Sequence, residues 1–375
     1  MKQDLGLYVH IPFCIQKCLY CDFCSFPKSG SERMETYVKE LCRRLTEEAP
    51  RCAAYRVDTL YFGGGTPTLL PLSCWESLLA CIRGRYELSD GAEITCECNP
   101  ATVDAAYLSA LRHMGINRLS IGLQSVHDRE LALLGRAHTY EEFLTTFHQA
   151  REAGFDNISV DLMYGIPDQT LDSFRQSLHT VAVLSPEHIS AYGLKIEDGT
   201  PFARAKDRLS LPDEDTEFSM YEAMTDILTK NGYAKYEISN FAKAGKESRH
   251  NLRYWQREAY LGFGVAAHSC FEGERFGNSR DLCAFLAGKD ITEERIPLRA
   301  KDERNEYLLL GLRLVRGIGR GEFRSRFGVS FERAYPQTAA LIAHGYLKAE
   351  EDRIAFTDKG FFVSNAILTD LLIDD

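Results

Sequence analysis

Four cysteines stand close together near the start of the chain, and their spacing is typical of a metal centre. Cys14, Cys18, Cys21 and Cys24 lie within residues 11–26, which read IPFCIQKCLYCDFCSF. Thiolates held in one tight loop can coordinate zinc or an iron–sulfur cluster. Three thiolates from one loop leave one iron of a four-iron cube without a protein ligand. Such an iron is an open, Lewis-acidic position that can bind a small molecule.

Other interpretations of these cysteines stay open. The pairs Cys18/Cys21 and Cys21/Cys24 each have the C-x2-C spacing of zinc sites, so a zinc-stabilised interaction module is an alternative. A thioredoxin-like pair fits less well, because a third thiol nearby has no role in it. The chain has 12 cysteines in all, and those outside the loop are scattered. We expect most of these to be small buried residues rather than members of a disulfide framework.

Composition indicates an ordinary globular protein. The chain has 375 residues, of which 45% are hydrophobic and 26% charged, and its formal net charge is -10. The negative charge argues against nucleic acid as the main partner. No run of about 18 apolar residues is present, so no membrane span is expected. The first residues carry no secretory or transit pattern, which predicts a cytoplasmic protein.

The elements that must position the cysteines alternate between strand and helix over the first two thirds of the chain. Repeated βα units imply a parallel sheet with helices outside it. Six units are too few for a closed eight-stranded barrel, so the pattern predicts an α/β fold with an open, partial (βα)6 barrel over residues 1–232. The predicted helices cover residues 31–49, 71–86, 103–114, 139–153, 170–184 and 213–231.

Residues that could bind a ligand or take part in chemistry lie at the carboxyl ends of the predicted strands. Cys14 follows the first strand. The motif GGGTPT, residues 63–68, begins at the end of the second strand and continues beyond it. Glu97 and Gln124 end the third and fourth strands. Ligands of open parallel sheets bind at this edge. Asp161 lies within the fifth apolar strand, where a carboxylate is costly unless it has a partner. The sequence therefore predicts one ligand site at this edge.

Two further features of this edge suit a small polar ligand. Gly64 and Gly65 carry no side chain, so backbone groups can approach a ligand closely, and Thr66 adds a hydroxyl. Arg136 has a planar fork that suits a carboxylate. An ion pair between Arg136 and Asp161 is the purely structural alternative for these two residues.

The last third of the chain has a different character. Residues 233–299 show little periodicity and are predicted to be an irregular connecting region that contains HNLRYW, residues 250–255. Residues 300–375 show helices and a charged hairpin, which predicts a winged-helix-like, mainly helical domain. Its presumed third helix, AYPQTAALIAHGYL, contains no Arg or Lys, so we expect a structural or partner-contact role rather than DNA binding.

The cysteine motif CIQKCLYC after a first strand resembles the signature of the radical SAM superfamily. Further motifs are similar to the branch of that superfamily that contains the anaerobic coproporphyrinogen III oxidases and, most of all, to the heme chaperones of that branch. The resemblance runs from about Tyr8 to the C-terminus. The motifs that carry it are YVHIPFC, GGGTPT, ECNP, GLQS, GRAH, VDLMYGIP, SRHNLRYW and YLGFGVAAHS.

The resemblance implies cofactors and the residues that hold them. Cys14, Cys18 and Cys21 would bind a [4Fe–4S] cluster, with S-adenosylmethionine on the open iron. Cys24 is expected not to be a ligand, because oxidase relatives have C-x-C where two residues, Asp22 and Phe23, intervene here. The residues that the resemblance assigns to S-adenosylmethionine are Tyr8, Tyr20, Gly64, Gly65, Thr66, Glu97, Gln124, Arg136 and Asp161.

The function that the resemblance implies is heme binding and delivery of heme to acceptor hemoproteins such as respiratory cytochromes. The alternative is an enzyme that decarboxylates coproporphyrinogen III without oxygen, and a radical SAM methyltransferase is a third interpretation. The spacing before Cys24 favours the chaperone. The sequence leaves open whether S-adenosylmethionine is cleaved and whether the protein touches a membrane at its acceptor.

One segment could supply a ligand for heme iron. Within residues 250–255, His250 offers an imidazole, and aromatic side chains that suit a flat macrocycle follow it. Arg249 and Arg253 could pair with heme propionates. The resemblance to the heme chaperones, whose HNxxYW segment is matched here, favours His250 as the iron ligand. His268 is a second candidate.

Overall fold

A computed structural model describes residues 2–372 of the chain. Over the first two thirds, strands and helices alternate as the apolar pattern predicts. The strands of this part are β1 (Gln3–Ile11), β2 (Phe13–Cys14), β3 (Phe26–Pro27), β4 (Tyr55–Gly64), β5 (Leu88–Cys98), β6 (Arg118–Gln124), β7 (Ile158–Tyr164) and β8 (His188–Gly193).

Several helices begin where a side chain satisfies free backbone N–H groups. Thr139 and Glu142 form a reciprocal capping box at the start of one helix, and the Asp213 carboxylate accepts from the Thr216 N–H at the start of another. The apolar face of each helix packs on the sheet. The helices of this part are α1 (Ser31–Glu48), α2 (Leu72–Arg85), α3 (Ala105–His113), α4 (Asp128–Leu134), α5 (Tyr140–Glu152), α6 (Leu171–Leu184), α7 (Pro201–Ala205) and α8 (Glu214–Lys230).

Six parallel strands form the centre of the main sheet. They pair in the order β1, β4, β5, β6, β7, β8, so each strand lies beside the strand of the next βα unit. Every residue of β6 is buried, as expected for a central strand covered on both faces. The two outermost strands of this sheet do not pair with each other within residues 2–372, so the barrel is open. The predicted partial (βα)6 barrel is confirmed.

Residues 233–299 differ from the predicted irregular region, because they extend the main sheet at both edges. Their elements are β9 (Ala234–Lys235), β10 (Asn240–Ala242), α9 (Arg249–Gln256), β11 (Tyr260–Phe263), β12 (His268–Phe271), β13 (Glu274–Gly277), α10 (Leu282–Leu286) and β14 (Ile296–Pro297). Strand β10 pairs antiparallel with β8, and β11 pairs parallel with β1. Strands of two to four residues are too short to show a period of two, which explains why the sequence pattern missed them.

Helix α9 lies against the amino-terminal half of the barrel strands. The His250 backbone N–H donates to the Glu93 carboxylate (3.1 Å), and the Arg253 guanidinium pairs with Asp58. Asp58 lies in the amino-terminal half of β4, and Glu93 is opposite Thr59 in the same half. The HNLRYW segment therefore closes the end of the barrel that is opposite to the cysteine loop.

The C-terminal part contains helices and a small antiparallel sheet. Its elements are α11 (Ala300–Gly311), β15 (Ile318–Gly319), α12 (Arg320–Phe327), α13 (Phe331–Ala334), α14 (Thr338–Ala343), β16 (Leu347–Glu350), β17 (Arg353–Phe356), α15 (Asp358–Phe362) and α16 (Ser364–Leu371). The charged hairpin β16–β17 forms the wing, and β15 pairs with β17. A salt bridge between Lys235 and Asp358 (3.2 Å) joins this part to the barrel. The domain boundaries at 232 and 299 stay predictions.

No helix within residues 2–372 combines the length and the apolar character that crossing a bilayer would need.

Candidate functional site

A cavity of about 480 Å³ opens at the carboxyl ends of the parallel strands. This volume is within the range of sites for small molecules and cofactors. Tyr8, Thr66 and His250 do not line the cavity. The predicted site residues that do line it are Cys14, Cys18, Tyr20, Cys21, Gly64, Gly65, Glu97, Gln124, Arg136 and Asp161.

The cysteine loop is held at both ends and in its middle. Strands β2 and β3 pair in parallel, which fixes the two ends of the loop, with Phe13 opposite Phe26. The Leu19 N–H donates to the Leu134 carbonyl (3.0 Å), and the Gln16 side chain donates to the Gly135 carbonyl (2.8 Å). These bonds tie the loop to the end of α4, so the thiols have a fixed direction before any metal binds.

The three predicted cluster ligands face the cavity with donors beside them. The Thr66 hydroxyl lies 3.7 Å from the Cys14 sulfur, and the Arg136 guanidinium lies 3.6 Å from the Cys18 sulfur. Burial raises the pKa of Cys14, and it raises the pKa of Cys21 to about 11. Thiols with a raised pKa become ligands only when a cation stabilises the thiolate. Three thiols that line one cavity, two of them with a side-chain donor beside the sulfur, are chemically suited to an iron–sulfur cluster.

Cys24 has different surroundings. Its side chain is buried outside the cavity, and its sulfur lies 3.9 Å from the Arg280 carbonyl. Its carbonyl accepts from the His10 ring (2.9 Å). This geometry is consistent with the prediction that Cys24 is not a cluster ligand. Within residues 2–372, no group of three or more His, Cys, Asp and Glu side chains is arranged to hold a single metal ion.

The glycines of the GGGTPT motif are needed for packing as well as for ligand access. Gly64 has a φ of +113°, and a Cβ there would lie 2.5 Å from the His10 ring. A Cβ on Gly65 would lie 2.7 Å from the Phe13 carbonyl. The motif therefore lets β4 approach β1 and the start of the cysteine loop. Close approach of a ligand was the only reason for these glycines that the sequence indicated.

Glu97 lies beside the glycine motif. Its carboxylate accepts from the Gly64 N–H (2.9 Å) and from the Tyr61 hydroxyl (2.9 Å). Burial raises the pKa of this carboxyl to about 7. Each carboxylate oxygen can accept a second hydrogen bond, so Glu97 can hold a ligand hydroxyl or ammonium group while it stays bound to the strand.

Asp161 and Arg136 both line the cavity, and they do not form the ion pair that was the structural alternative for them. The Ser120 hydroxyl donates to Asp161 (3.2 Å), and burial raises the pKa of Asp161 to about 6. The Arg136 guanidinium donates to the Asn99 side chain and to the Gly122 carbonyl, each at 2.6 Å. No salt bridge joins Arg136 to Asp161 in the described part of the chain. Asp161 therefore keeps free acceptor capacity toward the cavity.

Gln124 and Tyr20 are two further residues of the cavity wall. Gln124 ends β6 with a φ of +75°, an unusual conformation for a residue with a side chain, and its side-chain amide oxygen accepts from the Tyr192 hydroxyl (2.9 Å). Tyr20 packs near Phe202 on α7, with ring centroids 6.5 Å apart. Burial raises the pKa of the Tyr20 phenol, which therefore stays a neutral donor. Both side chains line the cavity.

Tyr8 lies behind the cavity wall rather than in it. Its hydroxyl is bonded to the His10 ring (2.9 Å), and its ring stacks on Tyr61 at 6.1 Å between centroids. Tyr61 in turn donates to Glu97. In this conformation Tyr8 supports residues that line the cavity and has no contact with it.

His250 is not available as an iron ligand in this conformation, which differs from the prediction. Its side chain is only 1% exposed. One ring nitrogen is bonded to the Thr59 hydroxyl (2.9 Å) and the other to the Tyr254 hydroxyl (2.8 Å). Burial lowers its pKa to about 3, so the ring is neutral. The second candidate, His268, is exposed at the start of β12.

Three exposed apolar side chains lie on the cysteine loop, and the sequence did not single them out. This apolar rim consists of Ile15, Leu19 and Phe23, which are 48%, 37% and 66% exposed, and Phe23 also lines the cavity. Within residues 2–372, only two other large apolar side chains are this exposed, and both lie elsewhere. Lys17 and Lys195 line the cavity next to the rim. The available signal in the sequence was the presence of three apolar residues between the cysteines of one short loop.

Comparisons with known proteins agree with this architecture. A model of the Radical SAM superfamily matches residues 8–181, and a model of the HemN C-terminal domain matches residues 298–363. The solved structure of coproporphyrinogen III oxidase (HemN) from Escherichia coli has a TM-score of 0.87 and 26% identity. That match covers 99% of this chain and 90% of the oxidase. Fold and site together define a radical SAM protein.

Sequence relatives narrow this class further. The heme chaperone HemW of Lactococcus lactis subsp. lactis (strain IL1403) is 36% identical, and the match covers 100% of this chain and 99% of the relative. The heme chaperone HemW of Escherichia coli (strain K12) is also 36% identical, with 97% of each chain covered. The chain belongs to the HemW family of heme chaperones.

Proposed function

We propose that the protein carries heme and delivers it to acceptor hemoproteins such as respiratory cytochromes, working as a cytoplasmic chaperone. The observation that carries this proposal is the identity of 36% over the full chain with relatives named heme chaperone HemW. The geometry adds a cavity of suitable size, with three thiols in its lining and an apolar rim on the cysteine loop.

The proposal includes a [4Fe–4S] cluster on Cys14, Cys18 and Cys21, with S-adenosylmethionine beside it. When bound, such a cluster supplies an open Lewis-acidic iron and an electron. Within the cavity, Glu97 and Asp161 offer acceptors for cationic and hydroxyl groups, and Arg136 holds the strand ends near Cys18. The residues that we propose for S-adenosylmethionine are Tyr20, Gly64, Gly65, Thr66, Glu97, Gln124, Arg136 and Asp161, with Tyr8 supporting them.

We further propose that heme docks on the apolar rim. A porphyrin is a flat apolar macrocycle with carboxylate arms, and the rim offers exposed apolar side chains with two lysines close by. Phe23 is the most exposed of the three rim residues. Covering an aromatic ring is worth about 1.5–3 kcal/mol, so heme affinity is expected to depend on Phe23. The rim does not require His250, whose ring nitrogens are both occupied.

A second candidate function has a specific observation behind it. The TM-score of 0.87 with coproporphyrinogen III oxidase (HemN) from Escherichia coli favours oxygen-independent oxidation of coproporphyrinogen III. Against it stand the lower identity of 26% and the two residues between Cys21 and Cys24. The chaperone is therefore the function that we propose first.

The heme site is tested by titrating the full chain with heme before and after Phe23→Ser. We expect affinity to fall about tenfold or more, as the loss of a covered aromatic ring implies. Val183→Ser is the matched control, because Val183 is 82% exposed on α6, away from the cavity lining. Equal heme affinity in Phe23→Ser and in the parent would rule out the rim as the heme site.

A further inference from the structure

The inner end of the cavity contains a buried cation without a partner. Arg118 begins β6, is 2% exposed and lines the cavity. Its Nε atom has no hydrogen-bond partner, and no hydrogen bond or ion pair joins its side chain to any residue between 2 and 372. A buried charge is costly unless hydrogen bonds replace the water that it loses. The Arg118 guanidinium is therefore ready for a partner that is not part of the protein.

Other polar groups line the same cavity as Arg118. Asn240 and Asn251 are among them, and the Asn240 side-chain oxygen has no hydrogen-bond partner. His188 lines the cavity too, but its ring nitrogens are bonded to Ser159 (2.7 Å) and Tyr236 (2.8 Å). Burial lowers the pKa of His188, so its ring carries no charge. His188 therefore offers no charge to balance Arg118.

The charges elsewhere in the cavity limit what Arg118 can hold. Glu97 and Asp161 line the same cavity and are both close enough to feel the Arg118 charge, without contacting it. Two carboxyl groups in one enclosed space disfavour a dianion such as phosphate. A monoanion with a planar pair of oxygens fits a single guanidinium best.

We propose that the inner end of the cavity is a binding subsite for a small carboxylate, held by Arg118. The subsite uses a residue other than those proposed for S-adenosylmethionine and does not depend on heme binding. The carboxylate neutralises Arg118, and its two oxygens accept hydrogen bonds from the guanidinium.

The test uses the full chain with its cluster reconstituted anaerobically and S-adenosylmethionine at saturation. The probe is 13C-labelled acetate, whose NMR line broadens when it exchanges with a protein site. We expect saturable broadening in the parent and at least tenfold weaker binding in Arg118→Gln. Arg129→Gln is the matched control, since the Arg129 side chain is 79% exposed, and it should behave like the parent.

A second variant keeps the proposal falsifiable if Arg118→Gln does not fold. Arg118→Lys keeps the positive charge but lacks the two parallel N–H groups that hold a carboxylate, so it should weaken acetate binding while the protein stays folded. Broadening that is absent in the parent, or unchanged in a folded variant, overturns the proposal. Broadening that is present without S-adenosylmethionine and absent at its saturation assigns Arg118 to the cofactor site and overturns the separate subsite. Displacement by phosphate as effective as by unlabelled acetate overturns the carboxylate preference.

Discussion

Arg136 donates a hydrogen bond to the sulfur of Cys18 across 3.6 Å, and the same guanidinium holds the Asn99 side chain and the Gly122 carbonyl. One buried cation therefore connects the cysteine loop to the ends of β5 and β6. Hydrogen bonds and positive charge near a thiolate ligand raise the reduction potential of an iron–sulfur cluster. This places Arg136 in a position to influence the proposed cluster directly.

Replacing Arg136 by Gln removes that charge and the bond to Cys18. We expect the cluster to assemble and its reduction potential to fall, since the reduced cluster loses a stabilising cation. Potentiometric titration followed by EPR measures this change. Arg129→Gln, at an exposed position, serves as the control. A potential equal to that of the parent would mean that the Arg136–Cys18 contact has no electronic role.

Cys18→Ala and Cys24→Ala should have opposite effects on iron content. Cys18 faces the cavity, whereas the Cys24 sulfur is buried against the Arg280 carbonyl. We expect Cys18→Ala to lose the iron–sulfur absorption and Cys24→Ala to retain it. Iron analysis after anaerobic reconstitution measures both. Equal loss in the two variants would make Cys24 a ligand and strengthen the oxidase interpretation.

Binding of S-adenosylmethionine should depend on pH through Asp161 and Glu97. Burial raises their pKa values to about 6 and about 7, so both carboxyls are neutral at low pH and gain charge as pH rises. The cofactor carries cationic ammonium and sulfonium groups, so its affinity should increase between pH 5.5 and pH 8.

Asp161→Asn keeps the shape of the side chain and removes its charge. We expect affinity for S-adenosylmethionine to fall about tenfold at pH 8, with a smaller pH dependence and normal cluster assembly. Calorimetric titration across this pH range measures it. Unchanged affinity together with a lower melting temperature would assign Asp161 a structural role only.

His250→Ala should destabilise the protein rather than remove an iron ligand. The substitution leaves a cavity and strands the hydroxyls of Thr59 and Tyr254, at a cost on the order of 3 kcal/mol. We expect a lower melting temperature and an unchanged Soret maximum when the folded variant is titrated with heme. His268→Ala, at an exposed position, is the comparison for stability. Loss of the Soret band in His250→Ala alone would restore His250 as the ligand.

The sequence predicted the barrel because its strands and helices are long enough to show a period. The predicted helix over 139–153 corresponds to α5 (Tyr140–Glu152), and the one over 213–231 corresponds to α8 (Glu214–Lys230). The parallel pairing of Gly6 with Tyr260 joins residues far apart in the chain. Pairing of such short strands leaves no local signal, so the pattern at 233–299 looked irregular.

Residues of the candidate site were predictable where their position at a strand end places them in the cavity. They were less predictable where their role depends on burial. Residues at strand ends, such as Glu97 and Gln124, meet at one cavity because parallel strands share a carboxyl edge. His250 looked suitable for iron from its residue type, yet its hydrogen bonds depend on how α9 packs under the barrel. The sequence did not single out Arg118, because the lack of a hydrogen-bond partner is visible only in the three-dimensional structure.

One paired measurement distinguishes heme carriage from porphyrin synthesis. The full chain is reconstituted with its cluster and S-adenosylmethionine without oxygen, loaded with heme and mixed with an apo-cytochrome, and a second portion is given coproporphyrinogen III. We expect heme binding, transfer of heme to the apo-cytochrome and no consumption of coproporphyrinogen III. Consumption of coproporphyrinogen III without heme binding would contradict the proposed function.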